Sequence, residues 1–70
     1  MGPIGLGVVV VFDEQAGYGT LRDDAGHELF FHCTAIVDGS RTIETGTRVA
    51  FNVTPGRRGD DEAAAVTVLG

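Results

Sequence analysis

The sequence predicts an all-β fold in which five short strands close into one small barrel. Three observations predict it. Seventy residues fit one domain with a thin core, so burial sufficient for stability requires a closed shape. Eleven glycines supply many tight connections, and no stretch shows a helical period of apolar positions. The apolar runs are short and rich in β-branched or aromatic residues. The first of them, Val8-Val9-Val10-Val11-Phe12, falls far below the ~20 residues that span a membrane.

Each element follows from local chemistry. Leu6 to Phe12 reads as the first strand. The polar turn Asp13-Glu14-Gln15-Ala16-Gly17 leads to a second strand, Tyr18 to Arg22. Asp23-Asp24-Ala25-Gly26 is a hairpin turn, and Glu28 to Cys33 forms the third strand. A long connection, Thr34 to Gly46, contains the turn Asp38-Gly39. Thr47 to Thr54 is the fourth strand, Pro55 to Asp61 a second loop, and Ala63 to Leu69 the fifth strand. Three strands in a meander, a long connection and a hairpin fit a five-stranded antiparallel Greek-key barrel of the OB type. Alternation along these strands puts Val9, Leu21, Leu29, Phe31, Ile36, Val49, Phe51 and Val66 inside. Tyr18, Thr20, Phe30 and His32 are left on the outer face of strands two and three.

Two aromatic segments about ten residues apart carry the functional signal. In Gly17-Tyr18-Gly19-Thr20-Leu21 a ring stands between two glycines, where a flat ligand can approach closely. In Leu29-Phe30-Phe31-His32-Cys33, Phe30 and His32 share one face of an extended strand. A row of planar side chains on paired strands is how proteins stack unpaired nucleobases.

These segments resemble the two ribonucleoprotein motifs of the bacterial cold-shock domain, roughly K-G-F-G-F-I and V-F-V-H-F. The resemblance extends over nearly the whole chain. Gly7-Val8-Val9-Val10-Val11-Phe12-Asp13 resembles the family's first strand, G-x-V-K-W-F-N, and Thr34-Ala35-Ile36 its S-A-I. Gly46 to Val53 is similar to the fourth strand, and Glu62-Ala63-Ala64-Ala65-Val66 to the entry into the fifth, Q-A-A-N-V. The resemblance implies a cold-shock-like barrel that binds single-stranded RNA or DNA on Phe12, Tyr18, Phe30 and His32, and a part in RNA folding or gene expression. Arg57-Arg58, with Arg41 and Arg22, are candidates for phosphate contact in such a barrel. Equally, Arg57-Arg58 are solvated and offset by Asp60-Asp61-Glu62.

The departures from the family pattern fall where binding occurs. The first-strand tryptophan is Val11, the second aromatic of the first motif is Thr20, the last of the second motif is Cys33, and the loop phenylalanine is Ser40. Two lysine positions are Val10 and Ala16. Each stacked base is worth ~1–3 kcal/mol, so the expectation is weak binding. Charge points the same way. Ten acidic against five basic residues give −5, whereas phosphate binding draws its affinity from Lys and Arg.

Other functions are disfavoured. His27, His32 and Cys33 are too few for a structural zinc site, and no metal or other cofactor is expected. Adjacent His32 and Cys33 point to opposite faces of a regular strand, which disfavours a nucleophilic pair. Gly17-Tyr18-Gly19 lacks the rest of a dinucleotide fingerprint. The expectation is a non-enzyme with no small-molecule substrate and no membrane association. The lone Cys33 and the absence of an export signal near Met1 point to the cytoplasm. The rival reading is a barrel that has drifted to protein interaction. Val10, Val11, Thr20 and Cys33 would then form an apolar patch for a partner or a weak homodimer.

Overall fold

A computed structural model of the chain describes residues 4–56 and 60–69. The strands are β1 (Ile4–Asp13), β2 (Tyr18–Asp23), β3 (Glu28–His32), β4 (Arg48–Pro55) and β5 (Asp61–Val68). They close in the order β1-β2-β3-β5-β4, with β4 pairing back to β1. All pairings are antiparallel except the β3–β5 seam. There Phe30 faces Glu62, and an isolated bridge joins Ile36 to Val66. The parallel sense follows from the chain path: the connection after β3 crosses to β4, and the β4–β5 hairpin returns β5 beside β3. Cys33–Ala35 forms a single 3-10 turn at the end of β3.

The eight residues that alternation places inside are all buried, and Ile43 and Ala63 join them. Phe31 and Phe51 fill the centre with Leu21, Val9, Val49 and Val66. Burying side chains of this size contributes ~1.5–3 kcal/mol each, so the nine such positions besides Ala63 are the main stabilising term in a small chain. Among the described residues no polar or charged side chain is buried. Any polar chemistry therefore belongs to the surface.

Two bulges bend the strands enough to close the barrel. The first shifts the β1–β2 register between Val9 and Val11: Val9 faces Leu21, but Val11 faces the next residue back, Thr20. Val10 is the extra residue, and the kink lets β1 pair with β4 through its first half and β2 through its second. A second register shift separates Ala50 and Asn52, which face Thr67 and Ala64 on β5. Ala65 lies in that bulge at φ +50°, in the left-handed region.

The bulge at Val10 also reverses the phase of alternation. Counting from buried Val9, a regular strand would turn Val11 inward and Phe12 outward. Instead Val11 is 53% exposed. Phe12 faces Gly19 and packs half-buried against the core, its ring stacked on that of Phe31 at 5.7 Å and 18°. No polar residue interrupts Val8 to Phe12, so nothing in the pattern marks the slip.

Candidate nucleic-acid interface

The outer face of β1–β3 is set by register. Tyr18 faces His32, and Thr20 faces Phe30 on β3 and Val11 on β1. Cross-strand neighbours of this kind have Cβ atoms ~4.5–5.5 Å apart. The rings of Tyr18 and Phe30 lie on the diagonal, 5.2 Å between centroids and tilted by 39°. Tyr18 is 44% exposed and Phe30 39%, so each keeps part of a face open to solvent. His32, also exposed, stands directly opposite Tyr18. Three planar groups from two strands thus form one continuous row.

Phe12 is not in that row. The phase reversal at Val10 turns it to the inner side, where it backs Phe31. Arg57 and Arg58 lie outside the described residues. Arg22 is on the outer face but already bonded to Glu28, Nη2 to Oε2 at 2.9 Å. Arg41 is exposed in the β3–β4 connection. That connection is tied to the β1–β2 turn by the Thr42 hydroxyl donating to Glu14 Oε1 at 2.6 Å, which brings Arg41 to the same end of the barrel as Tyr18.

The glycines around Tyr18 each have a part in the fold. Gly17 has φ +79° and turns the chain out of the β1–β2 connection. Gly19 is buried against β1, and a Cβ there would lie 2.3 Å from the Val11 carbonyl oxygen. Tyr18 is presented outward because its neighbour lets two strands approach closely.

β3 ends at His32, one residue earlier than alternation suggests, and this changes the chemistry of His32 and Cys33. His32 caps the 3-10 turn: its Nδ1 accepts from the Thr34 amide at 3.3 Å and lies 3.1 Å from the Thr34 hydroxyl. In the neutral ring the proton then resides on Nε2, free to donate outward. Cys33 does not point away from His32. Its sulfur comes within 3.8 Å of Nδ1, half-buried beside Gly17. The apolar patch of the rival reading is accordingly reduced: Val11 and Thr20 are neighbours on the face, while Cys33 is half-buried beside Gly17.

Electrostatics divides the surroundings of Phe30. On its β5 side a groove of about 560 Å³ has Thr20, Leu29 and Val53 in its walls and Asp23, Glu28, Asp60 and Asp61 around it. That side carries a concentration of negative charge. Asp23 is held ionised by the His27 amide (2.8 Å) and the Ala25 amide (3.0 Å), with the His27 ring 3.4 Å away. These contacts keep its carboxyl below the ordinary carboxylate range. Among the described residues no three potential ligands converge on a metal position, and no helix is long and apolar enough to cross a membrane.

A closed five-stranded barrel with exposed rings on its β2–β3 face defines the class: a small OB-type barrel. The profile of the "'Cold-shock' DNA-binding domain" matches residues 6–69, and the chain belongs to that family. It is 38% identical to cold shock protein CspB of Bacillus caldolyticus over 61 residues, covering 86% of this chain and 92% of the relative. To the cold shock-like protein CspA of Vibrio cholerae it is 40% identical over 65 residues, 90% of this chain and 91% of that one. The major cold shock protein of Streptococcus pyogenes serotype M1 is 38% identical over 64 residues, with 90% and 94% covered. The family is one of nucleic-acid binding.

Proposed function

We propose that this barrel binds single-stranded RNA or DNA by stacking unpaired bases on Tyr18, Phe30 and His32. The observation that carries the reading is the contiguity of those three exposed planar groups across the β2–β3 pair. Stacking is sequence-tolerant because every base has a π-face. Its contribution is independent of net charge, which suits a chain at −5. Phe12 supports the row from behind through Phe31. In sequence Arg57 and Arg58 fall between Pro55 of β4 and Asp61 of β5, the connection that barrels of this type use for backbone contacts. With Arg41 they are the candidate phosphate contacts.

Affinity is modest. Val11, Thr20, Cys33 and Ser40 hold positions where family members carry rings, and ~1–3 kcal/mol is absent at each. The named relatives are cold shock proteins, which supports a cytoplasmic role in RNA folding or gene expression in the cold or under stress.

A titration of a fluorescent oligo-pyrimidine at two salt concentrations tests the proposal. Binding is expected to weaken as salt rises and to fall ~5- to 140-fold in Phe30→Ala. A folded wild-type protein that binds nothing at low salt refutes it. So does a Phe30→Ala variant that binds as well as wild type.

A further inference from the structure

The groove beside Phe30 holds hydrogen-bond acceptors that base stacking alone does not use. Phe30 belongs both to the ring row and to the groove wall, so a base lying on that ring extends an edge toward the opening. The opening measures about 560 Å³, within the ~300–1,000 Å³ of clefts that take small molecules. Glu28 stands two residues from Phe30 on the same outer face of β3, ~7 Å along the strand. Its Oε2 accepts from Arg22 at 2.9 Å, which orients the carboxylate and leaves Oε1 as a further acceptor. Asp60 and Asp61 also line the groove, and they directly precede Glu62, which faces Phe30 across the β3–β5 seam. Asp23 contributes less, because its Oδ1 already accepts the Ala25 and His27 amides.

The chemistry of these side chains tells base edges apart. An ionised carboxylate only accepts hydrogen bonds. Cytosine, adenine and guanine each present an exocyclic amino group that donates to such an acceptor, and Asp and Glu meet the cytosine amino group in this way. Thymine and uracil present carbonyl oxygens on either side of a single N–H, and a carboxylate repels those oxygens. The other polar groups in the groove do not reverse the preference. The Thr20 hydroxyl both donates and accepts, and the His27 ring is turned to Asp23, 3.4 Å away.

We infer that the groove selects, at the Phe30 position, bases that carry an exocyclic amino group over thymine and uracil, with Glu28, Asp60 and Asp61 accepting from that group. The inference rests on the proposed stacking of bases on Phe30 and adds to it a choice among bases. Phosphates stay outside the groove because like charges repel, so the edge of the base enters and the backbone does not. Stacking, which every base can make, supplies the affinity. The carboxylates supply the preference.

Oligo-dC and oligo-dT strands of equal length, titrated at neutral pH, isolate the effect, because both are pyrimidines with the same backbone charge. The wild-type protein is expected to bind oligo-dC at least about five-fold more tightly. The triple variant Glu28→Gln/Asp60→Asn/Asp61→Asn replaces the carboxylates by carboxamides, which donate as well as accept. All three side chains are exposed, so the barrel should stay folded. In this variant both strands should bind more tightly, as repulsion is removed, and the ratio of their affinities should approach one. Glu44→Gln removes a carboxylate in the β3–β4 connection and should leave the ratio unchanged. Equal affinities in the wild type, a preference for oligo-dT, or a ratio that survives in the triple variant would each overturn the inference while base stacking stands. Failure of both strands to bind would overturn the stacking reading and the selectivity together.

Discussion

Restoring a ring at Val11 tests both the bulge and the binding face. Val11 is 53% exposed and faces Thr20, which in turn faces Phe30. A tryptophan placed there extends the row from β2–β3 onto β1. The side chain projects into solvent, so the change in fold stability should stay within about ±0.5 kcal/mol. One further stacked base contributes ~1–3 kcal/mol, which is roughly a 5- to 140-fold gain in affinity. The native chain has no tryptophan, so Val11→Trp supplies its own reporter. Its emission should be quenched as an oligo-pyrimidine is added, with a midpoint matching the tighter Kd. Val37→Trp, exposed elsewhere, should show neither gain nor quenching. A folded Val11→Trp protein with wild-type affinity and unaltered emission would refute the assignment of this face. Had β1 run without a bulge, the same substitution would overfill the core and unfold the chain.

Three further outcomes follow from particular contacts. His32→Asn keeps an acceptor to cap the Thr34 amide but removes the ring. It should retain stability while weakening oligonucleotide binding ~5-fold or more, whereas His32→Ala should lower both, as separate melting and binding curves will show. Ala65 at φ +50° occupies a region that asparagine adopts at less cost than alanine, so Ala65→Asn should stabilise by about 1 kcal/mol, near 4–8 °C in Tm for a domain of this size. Ala65→Val should do the reverse, and a Tm that ignores both changes contradicts the account. The lowered pKa of Asp23, caused first by the His27 amide and then by the Ala25 amide, makes its contribution complete above the ordinary value of 3.8 and lost as pH falls through the lowered one. Asp23→Asn should therefore be less stable than wild type at neutral pH, with the difference closing under acid in urea midpoints. A constant difference across that range would show that the carboxylate charge is irrelevant.

The core is legible in the sequence because its strands alternate cleanly where polar residues mark the phase. Leu21, Leu29 and Phe31 are separated by Arg22, Phe30 and other outward residues, and each is buried as alternation predicts. Ile43 escapes because it lies in a connection without alternation, and Ala63 because alanine on a short strand gives a weak signal. The side that Phe12 takes is hidden for a different reason. Five consecutive apolar residues carry no phase, so the extra residue at Val10 is invisible until register is known. The contact between Cys33 and His32 depends on where β3 ends, and strand ends are the least determined feature of a pattern. Tyr18, Phe30 and His32 are legible because cross-strand register follows from the hairpin turn between them.

The most direct measurement is a map of backbone amide shifts by NMR as a short oligo-pyrimidine is added to the labelled protein. If bases stack where the three rings meet, the largest changes will cluster at residues 18–20 and 30–32, with Leu6 and Ala50 unmoved. Saturable changes confined to the β1–β4 side, with Tyr18, Phe30 and His32 silent, would contradict the account.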